Sequence, residues 1–414
     1  MPSFSIQNFG CRVNQAEAFS WADELELGGL RREDDPARAD CVVINTCTLT
    51  ARADRDVRKF IRRVSRLNPR ARLILAGCSV DGGSLHLGDL EPDTLLLPNS
   101  AKAELADRVL RWLKPLDASG AKPLRSRALL KAQDGCDLSC TFCIIPSVRG
   151  RSRSLPREEV LGRARRLIDR GFREIVLCGI HLSSYGHDLQ PKDSLLGLLK
   201  DLLKLDGPGM FRLSSLDPRH LDDGLIDFLT GQARVCPHFH LSLQHASDPI
   251  LKLMGRGSTS VGYARTLRRL RKRSPDAALG ADMIVGFPGE EESDFQRLLD
   301  FAAGSPLDYL HVFPYSRRPG TRAADWAQVD DSEKRRRSTL LRAVAEDKRR
   351  AFRERFIGRE LKGIIVKKGA GDAEVLTSNY IDVRLGVCSG EPGDEVKVRI
   401  TGVGTRQAGG EESA

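Results

Sequence analysis

Hydrophobic positions along this chain alternate between short strand-like runs and longer amphipathic stretches. In the first part, the runs FSIQNFGC, CVVINTC and RLILAGC end at Cys11, Cys47 and Cys78, and helix-periodic stretches follow the first two at 14–27 and 52–67. This alternation predicts an α/β domain with a doubly wound parallel sheet. Because loops at the carboxyl ends of parallel strands converge on one crevice, the three cysteines are expected to be neighbours in space.

A second alternation follows a polar connector at 114–127. Its strand-like runs are RALLKAQ, EIVLCGI, MFRLSSL, HFHLSLQ, ALGADMIVGF and YLHVFPY, with helix-periodic stretches between them. Six parallel strands with right-handed crossovers predict a partial (β/α)6 barrel. The active site of such a barrel is expected at the carboxyl ends of its strands.

The remainder of the chain is predicted to contain a charged helix, a small β module and a tail. A strongly charged helix is predicted at 332–356, and the alternating runs ELKGIIVKK, AEVLTSN, YIDVRLGV and GDEVKVRI then predict a small C-terminal β-barrel. The last residues, RQAGGEESA, are typical of a disordered tail. The predicted division is an N-terminal domain at 1–118, a core at 125–330, a connecting helix at 331–357, a β module at 358–405 and a tail at 406–414.

Composition narrows the chemistry. No apolar run approaches the length of a membrane span and the N-terminus lacks a secretory signal, so we expect a cytoplasmic protein without membrane contact. In such a chain, ten cysteines indicate metal binding or catalysis rather than disulfides. The net charge of +10 is compatible with an RNA partner, although most basic surfaces are simply solvated.

The stretch QDGCDLSCTFC holds Cys136, Cys140 and Cys143 in the spacing Cys-x3-Cys-x2-Cys. Structural zinc sites usually close a tetrahedron with four ligands, and no fourth cysteine or histidine follows nearby. Three thiolates on a four-iron cluster instead leave one iron open to a substrate or cofactor. An open cluster is therefore favoured, with structural zinc as the alternative.

This CxxxCxxC spacing, with Phe142 before the last cysteine, resembles the motif of radical S-adenosylmethionine enzymes. The N-terminal motifs FGCRVNQAE, NTCTLTARADR and LAGC extend the resemblance to the methylthiotransferase family along nearly the whole chain. The resemblance implies a flavodoxin-like N-terminal domain, a radical S-adenosylmethionine barrel and a TRAM-like RNA-binding module.

The same resemblance implies two 4Fe-4S clusters as cofactors together with S-adenosylmethionine. The cluster that binds S-adenosylmethionine and generates a 5′-deoxyadenosyl radical would be held by Cys136, Cys140 and Cys143. An auxiliary cluster, which presents the sulfur to be inserted into a C–H bond, would be held by Cys11, Cys47 and Cys78.

Further motifs, EIVLCGIHLSSYG, RLSSLDP, ADMIVGFPGE and LHVFPYSRRPGT, resemble the barrel strands of this family. They imply that residues at strand ends contact S-adenosylmethionine. Phe142, beside the cysteines, is a further candidate contact. The candidates are Phe142, Gly179, Ser214, Gln244 and Gly286. A glycine that ends a strand also often serves a tight turn, which is the alternative interpretation.

Arginines are the candidates for substrate binding. Arg149, Arg151 and Arg153 follow the cysteine loop and are predicted to line the barrel mouth, where a guanidinium would pair with phosphate or carboxylate. Arg318 or Arg149 is expected to pair with a carboxylate of the substrate. A merely solvated loop is the alternative for the three arginines that follow the cysteines.

Two features favour tRNA as the substrate. The predicted helix at 52–67 has a basic stripe opposite an apolar face, formed by Arg52, Arg55, Lys59, Arg62 and Arg66. The C-terminal module resembles an RNA-binding domain, with few aromatic residues beyond Tyr380 available to stack bases.

NTCTLTARADR and LHVFPYSRRPGT are most similar to enzymes that methylthiolate C2 of N6-threonylcarbamoyladenosine at position 37 of tRNA. Isopentenyladenosine at the same position, an aspartate of a ribosomal protein, and a non-catalytic iron–sulfur RNA-binding protein remain as alternatives. The implied partners are a tRNA anticodon stem-loop, a sulfur source and an electron donor such as flavodoxin or ferredoxin.

Overall fold

The computed structural model describes residues 2–82, 94–113, 126–207, 209–404 and 407–413. The chain divides into two compact units: the first is Met1–Pro123, Asp134–Ser152 and Ser316–Ala324, and the second is Leu124–Gln133, Arg153–Tyr315 and Asp325–Ala414. Two segments of the predicted 125–330 core therefore belong to the first unit. The boundary predicted between 118 and 125 lies outside the described residues, and it stays a prediction.

The first unit is built on one parallel sheet. Its strands are β1 (Ser3–Asn8), β2 (Arg31–Arg32), β3 (Cys41–Thr46), β4 (Arg72–Gly77) and β5 (Leu95–Leu97). They are ordered β2-β1-β3-β4-β5, and every pair is parallel. This is the flavodoxin-like order, so the predicted doubly wound domain is confirmed. All six residues of β3 are buried, as expected for a central strand covered on both faces.

The described part of this unit also contains a 3-10 helix (Asn99–Glu104) and five α-helices: α1 (Arg12–Leu27), α2 (Ala51–Leu67), α3 (Cys78–Asp81), α4 (Leu105–Leu113) and α5 (Ile145–Arg149). Helix α2 begins after Thr50, whose side chain accepts a hydrogen bond from the backbone N–H of Ala53. It buries Val57, Ile61 and Val64, and its predicted basic stripe is exposed. Leu67, at the last position of the helix, is exposed.

The second unit contains the barrel core. Its strands are β6 (Ala128–Asp134), β7 (Arg153–Ser154), β8 (Glu174–Gly179), β9 (Met210–Leu213), β10 (His238–Gln244), β11 (Ala278–Val285) and β12 (Tyr309–Pro314). They form the sheets β7-β6-β8-β9 and β10-β11-β12, which a parallel bridge between Leu216 and Leu241 links at their adjoining edges. The six predicted strands, β6 and β8–β12, are all present, which confirms the partial barrel.

Crossover helices separate these strands: α6 (Arg157–Asp169), α7 (Leu195–Leu202), α8 (Asp223–Gly231), α9 (Asp248–Leu253), α10 (Ser260–Arg273) and α11 (Glu292–Gly304). The long charged helix α12 (Asp331–Glu354) follows β12. On β11, Ala281, Met283 and Val285 are buried, whereas Asp282 and Ile284 on the opposite face are partly exposed. The strands therefore have one fully covered face and one more open face.

A closed β-barrel ends the chain. It consists of β13 (Glu360–Lys368), β14 (Ala373–Thr377), β15 (Asp382–Leu385), β16 (Glu395–Val403) and β17 (Ala408–Glu412), in the order β13-β14-β15-β17-β16. The prediction of a disordered tail at 406–414 is wrong for 408–412. Strand β17 pairs with both β15 and β16, and Ala408 is buried. Backbone pairing needs no apolar side chains, and closure removes the exposed edges that β15 and β16 would otherwise have.

In the described ranges, no helix is both long enough and apolar enough to cross a membrane.

Candidate functional site

The first cysteine triad lies at one edge of the first unit's sheet. Cys11 immediately precedes α1, Cys47 follows β3, and Cys78 begins α3 directly after β4. Burial, together with the neighbouring thiols of Cys11 and Cys78, raises the pKa of Cys47 to about 12. The triad therefore consists of neighbouring thiols, as the positions at strand ends predicted.

The glycine before Cys11 is required by this packing. Gly10 has φ +140°, and a Cβ there would lie 2.7 Å from Cβ and 3.1 Å from Sγ of Cys47. Both the backbone conformation and the lack of space exclude a larger residue. The Phe-Gly-Cys sequence thus brings the strand end against the second cysteine.

The second cysteine triad lies on one loop of the first unit, between β6 and α5. Cys136, Cys140 and Cys143 are each half-buried. The backbone N–H of Cys136 donates to the carbonyl of Gly150 at 3.1 Å, and that of Cys143 donates to the carbonyl of Cys140 at 3.2 Å. Gly135, with φ +67°, allows the chain to turn where a Cβ would lie 2.0 Å from the carbonyl oxygen of Arg151. The loop is thus closed on itself and leaves its sulfurs partly accessible.

The number of thiols bears on which metal group each triad could hold. A structural zinc site usually closes a tetrahedron with four ligands, whereas each triad supplies three thiols. None of the ten cysteines, all in the described ranges, forms a disulfide. Three thiols fit a four-iron cluster that keeps one iron open, as the sequence predicted.

Arg149, which the sequence predicted to bind substrate, is buried within the first unit. Its side chain is 1% exposed, and Nη1 contacts Asp134 at 2.8 Å and Glu17 at 3.2 Å. Nη2 donates to Oδ1 of Asn14 at 2.6 Å, and the same oxygen lies 3.3 Å from Sγ of Cys11. The expectation that Arg149 binds substrate is therefore corrected. The sequence showed a basic loop, but it did not show the acidic side chains that the fold brings around this one arginine.

Sequence analysis also missed the buried ionic network that Arg149 joins. Glu17 is 3% exposed and receives a 2.5 Å hydrogen bond from Nζ of Lys102, itself buried. Burial lowers the pKa of Lys102, and the adjacent Glu17 carboxylate opposes that shift. The available signal was the pair Asn14 and Glu17, two polar residues one turn apart on the buried face of α1.

Arg318 is likewise buried and ion-paired inside the first unit. Nη2 contacts Oδ2 of Asp54 at 2.7 Å and also donates to the hydroxyl of Thr48. Because its guanidinium already neutralises a buried carboxylate, the expected pairing with a substrate carboxylate is corrected as well. Of the remaining arginines, Arg151 is 92% exposed and lies 3.2 Å from Asp137, and Arg153 is exposed.

The predicted cofactor residues of the second unit lie at strand ends. Gly179 ends β8, and its N–H donates to the hydroxyl of Ser214, which follows β9, at 3.3 Å. Gln244 ends β10 with φ +71°, a conformation rare for residues other than glycine and often found at functional sites. Gly286 follows β11 with φ +70°. Phe142, in the first unit, is half-buried next to Cys143. Binding of S-adenosylmethionine by these residues stays a prediction.

Tyr380 differs from the sequence-based expectation. Its ring stacks on that of His238, with 4.0 Å between the centroids, so it packs within the second unit rather than standing ready to stack RNA bases. On the barrel core, Phe313 is 43% exposed.

Comparison with known proteins agrees with this arrangement. Residues 130–302 match the radical SAM superfamily, and residues 3–97 match a family described as uncharacterized protein family UPF0004. A threonylcarbamoyladenosine tRNA methylthiotransferase MtaB from Aquifex aeolicus is 34% identical over 92% of this chain and 96% of its own length. A tRNA-2-methylthio-N(6)-dimethylallyladenosine synthase from Sphingopyxis alaskensis is 32% identical over 99% of this chain and 97% of its own length.

Among solved structures, the radical S-adenosylmethionine methyltransferase TsrM from Kitasatospora setae has a TM-score of 0.56 at 15% identity. The match covers 78% of this chain and 77% of that one, and it supports the fold alone. The relatives at 32–34% identity extend over nearly the whole chain. The chain therefore belongs to the MtaB-like radical S-adenosylmethionine methylthiotransferase family.

Proposed function

We propose that this chain is a tRNA methylthiotransferase that adds sulfur and a methyl group at C2 of N6-threonylcarbamoyladenosine at position 37. The observation that carries the proposal is the pair of separate three-cysteine sites, one at the ends of parallel strands and one on a single loop. The C2 carbon carries an unactivated aromatic C–H bond. Acid–base catalysis by side chains cannot exchange the hydrogen of that bond for sulfur. The full-length similarity to enzymes named for this substrate supports the choice of nucleoside.

The chain's own residues hold and separate the two reactive centres. When bound, the clusters and S-adenosylmethionine supply the radical, the sulfur and the methyl group. Cys136, Cys140 and Cys143 are proposed to hold the first cluster on a partly accessible loop. Cys11 and its two partners are proposed to hold the auxiliary cluster in a site where Cys47 and Cys78 are buried. Arg149 and Asn14 position Cys11, because Oδ1 of Asn14 contacts both the guanidinium and the Cys11 thiol. This contact also links the Cys11 site to the loop that carries the other triad.

The basic side of α2 is the proposed docking surface for the phosphates of the anticodon stem-loop. Arg52, Arg55, Lys59, Arg62 and Arg66 are exposed along it. Each phosphate contact that a cation makes contributes close to one unit to the slope of log affinity against log salt. Replacing Arg55 and Lys59 together by glutamine should therefore reduce that slope by about 2, with iron content unchanged. An unchanged slope would remove α2 from the docking surface.

The proposed setting is a cytoplasmic one, with a sulfur source and a low-potential electron donor such as flavodoxin or ferredoxin as further partners. Adding each donor to the enzyme and measuring 5′-deoxyadenosine formation would identify which one serves.

The test of the reaction is anaerobic incubation of the reconstituted, reduced enzyme with S-adenosylmethionine and tRNA that lacks only the methylthio group. Nucleoside mass spectrometry should show the methylthio product on threonylcarbamoylated tRNA, together with 5′-deoxyadenosine and S-adenosylhomocysteine. Cluster-loaded protein without either small-molecule product would support the non-catalytic RNA-binding alternative.

The second candidate is the same reaction on isopentenyladenosine, which the similarity to the Sphingopyxis alaskensis enzyme favours. The same assay with isopentenylated tRNA separates the two. Product on that tRNA alone would replace the proposed substrate while keeping the chemistry. Product only on a ribosomal-protein aspartate would exclude tRNA altogether.

A further inference from the structure

A polar cluster lies on the open face of the β10-β11-β12 sheet, and neither cysteine triad contributes to it. Nε2 of His240 lies 2.9 Å from Oδ1 of Asp282, and Nδ1 of His311 lies 3.4 Å from the same oxygen. These three residues come from three adjacent strands, and Asp282 is directly paired with His311 in the sheet register. The cluster is therefore fixed by the sheet rather than by loops.

A second tier of contacts orients this cluster. The hydroxyl of Tyr309 lies 2.9 Å from Nδ1 of His240 and 2.7 Å from Nε2 of His238. With Nδ1 engaged by the tyrosine, Nε2 of His240 is directed at Asp282. Although burial alone would raise the pKa of Asp282, the neighbouring His240 and His311 keep that pKa below its ordinary range. The carboxylate is thus charged and ready to accept hydrogen bonds.

The cluster becomes more exposed toward β12. The side chain of His240 is 8% exposed, that of Asp282 is 23% exposed and that of His311 is 42% exposed. Phe313, two residues after His311 and on the same face, is 43% exposed, and the two rings are 6.4 Å apart. An exposed aromatic ring beside an accessible carboxylate and imidazole is the combination that binds an unstacked nucleobase.

We propose that Asp282 and His311 bind the polar N6 substituent of the modified adenine, while Phe313 stacks on its ring. Asp282 accepts from the hydroxyl or the carbamoyl N–H of the threonylcarbamoyl group, and His311 donates to its carboxylate. This inference rests on the proposed function and adds the residues that select the substrate. It also replaces Arg149 and Arg318, whose guanidinium groups are occupied by Glu17, Asp134 and Asp54.

The same geometry disfavours an isopentenyl group. An apolar substituent would remove water from Asp282 and His311 without offering either a hydrogen bond. Sites built to bind a polar group reject analogues that lack it far more strongly than apolar pockets reject an added methylene. Selectivity for the threonylcarbamoyl group would therefore reside in this cluster.

The experiment measures binding and turnover separately on three synthetic anticodon stem-loops. They carry adenosine, threonylcarbamoyladenosine or isopentenyladenosine at the position next to the anticodon. For His311→Leu, affinity for the threonylcarbamoyl RNA should fall about 10-fold to 100-fold, the range for a lost hydrogen bond to a charged group. Affinity for the unmodified RNA should stay unchanged. For Phe313→Leu, affinity for all three RNAs should fall by a similar factor.

Two variants control for damage to the fold. His311→Gln retains a side-chain N–H and should keep most of the preference for the threonylcarbamoyl RNA. His187→Leu removes an exposed histidine elsewhere in the unit and should change none of the affinities. Iron content should match the parent in every variant, and cleavage of S-adenosylmethionine without RNA should match it in His187→Leu.

Equal losses of His311→Leu on modified and unmodified RNA would overturn the proposal, as would no loss on either. Failure of the proposed function gives a different result. In that case the parent enzyme itself would thiolate no threonylcarbamoyl RNA and would bind it no better than the unmodified stem-loop.

Discussion

The two cysteine triads of the first unit are held in opposite ways. Cys11, Cys47 and Cys78 are brought together by the order of parallel strands, and two of the three are buried. Cys136, Cys140 and Cys143 follow one another on a single loop, and all three are half-buried. The first site is thus a product of the tertiary fold, whereas the second is set largely by local backbone geometry.

The difference indicates where each site is vulnerable. The sheet-borne triad depends on side chains packed beneath it, above all on the buried network of Asn14, Glu17, Lys102 and Arg149. The loop-borne triad depends on a few backbone contacts around Gly135 and Gly150. Changes of side-chain charge should therefore affect the first triad, and changes of backbone freedom should affect the second.

The largest effect is expected from removing a complete triad. Replacing Cys136, Cys140 and Cys143 by alanine should abolish 5′-deoxyadenosine formation and roughly halve the iron bound after anaerobic reconstitution. Replacing the sheet-borne triad should also halve the iron, but it should leave cleavage of S-adenosylmethionine in place. Iron analysis and Mössbauer spectra give the counts. Loss of all iron from either variant would show that the two sites depend on one another.

Arg149→Met comes next, and it tests the buried network. The change leaves Glu17 and Asp134 without their shared cation, and loss of one partner from a buried ion pair costs about 3–5 kcal/mol. Urea unfolding followed by circular dichroism should show that loss, with iron lost preferentially from the sheet-borne triad. Its matched control is Arg151→Met on the same loop, where the side chain is exposed.

Arg149→Lys distinguishes the effect of the charge at this position from the effect of the guanidinium geometry. Lysine keeps the charge but cannot contact Asn14 and both acids through one planar fork. An intermediate stability is expected, with the electron paramagnetic resonance signal of the auxiliary cluster altered. A stability and a signal equal to those of the parent would mean that only the charge at this position matters.

The contrast between the triads also explains what the sequence could predict. Strand ends marked by cysteines predicted that Cys11, Cys47 and Cys78 meet, because parallel sheets bring such ends together. The sequence could not show which arginine has which role, since Arg149, Arg151 and Arg153 are the same residue type and lie at alternate positions of one short stretch. Only the fold shows that α1 delivers Glu17 to Arg149, while Arg151 remains exposed.

In the C-terminal barrel, too, contacts that form only in the folded chain decide a feature that the sequence pattern does not show, here a strand. Hydrophobic alternation predicted β13–β16, but it carried no signal for Ala408–Glu412, whose sequence AGGEE lacks large apolar residues. That strand forms because β15 and β16 offer it two edges to pair with. The polar cluster on β10–β12 was hidden for a related reason, since its members are distant along the chain and meet only through register.

A smaller effect is expected at the glycines of the cysteine loop. Gly135 and Gly150 both have positive φ, at +67° and +76°, so alanine costs backbone strain at each, and Gly150, with ψ −165°, lies in a region that is almost exclusive to glycine. Only at Gly135 would the new Cβ meet a backbone atom, 2.0 Å away, whereas nothing lies within 4 Å at Gly150. Gly135→Ala, which adds this collision to the strain, should therefore lose more loop-bound iron than Gly150→Ala. Equal iron in both variants would mean that the loop moves freely.

The smallest effect is expected at Arg151, the exposed neighbour of the buried Arg149. Its contact with Asp137 is a surface ion pair, so Arg151→Gln should change the free energy of unfolding by less than about 1 kcal/mol. If the side chain contacts an RNA phosphate, as its position after the cysteine loop suggests, the slope of log affinity against log salt should fall by about 1. Binding titrations with unmodified stem-loop at several salt concentrations measure that slope. A reduced slope with parental stability and iron would separate the two arginines fully, one as a support of the sheet-borne triad and one as an RNA contact. An unchanged slope would leave Arg151 as a solvated residue, and the docking of RNA would then rest on α2.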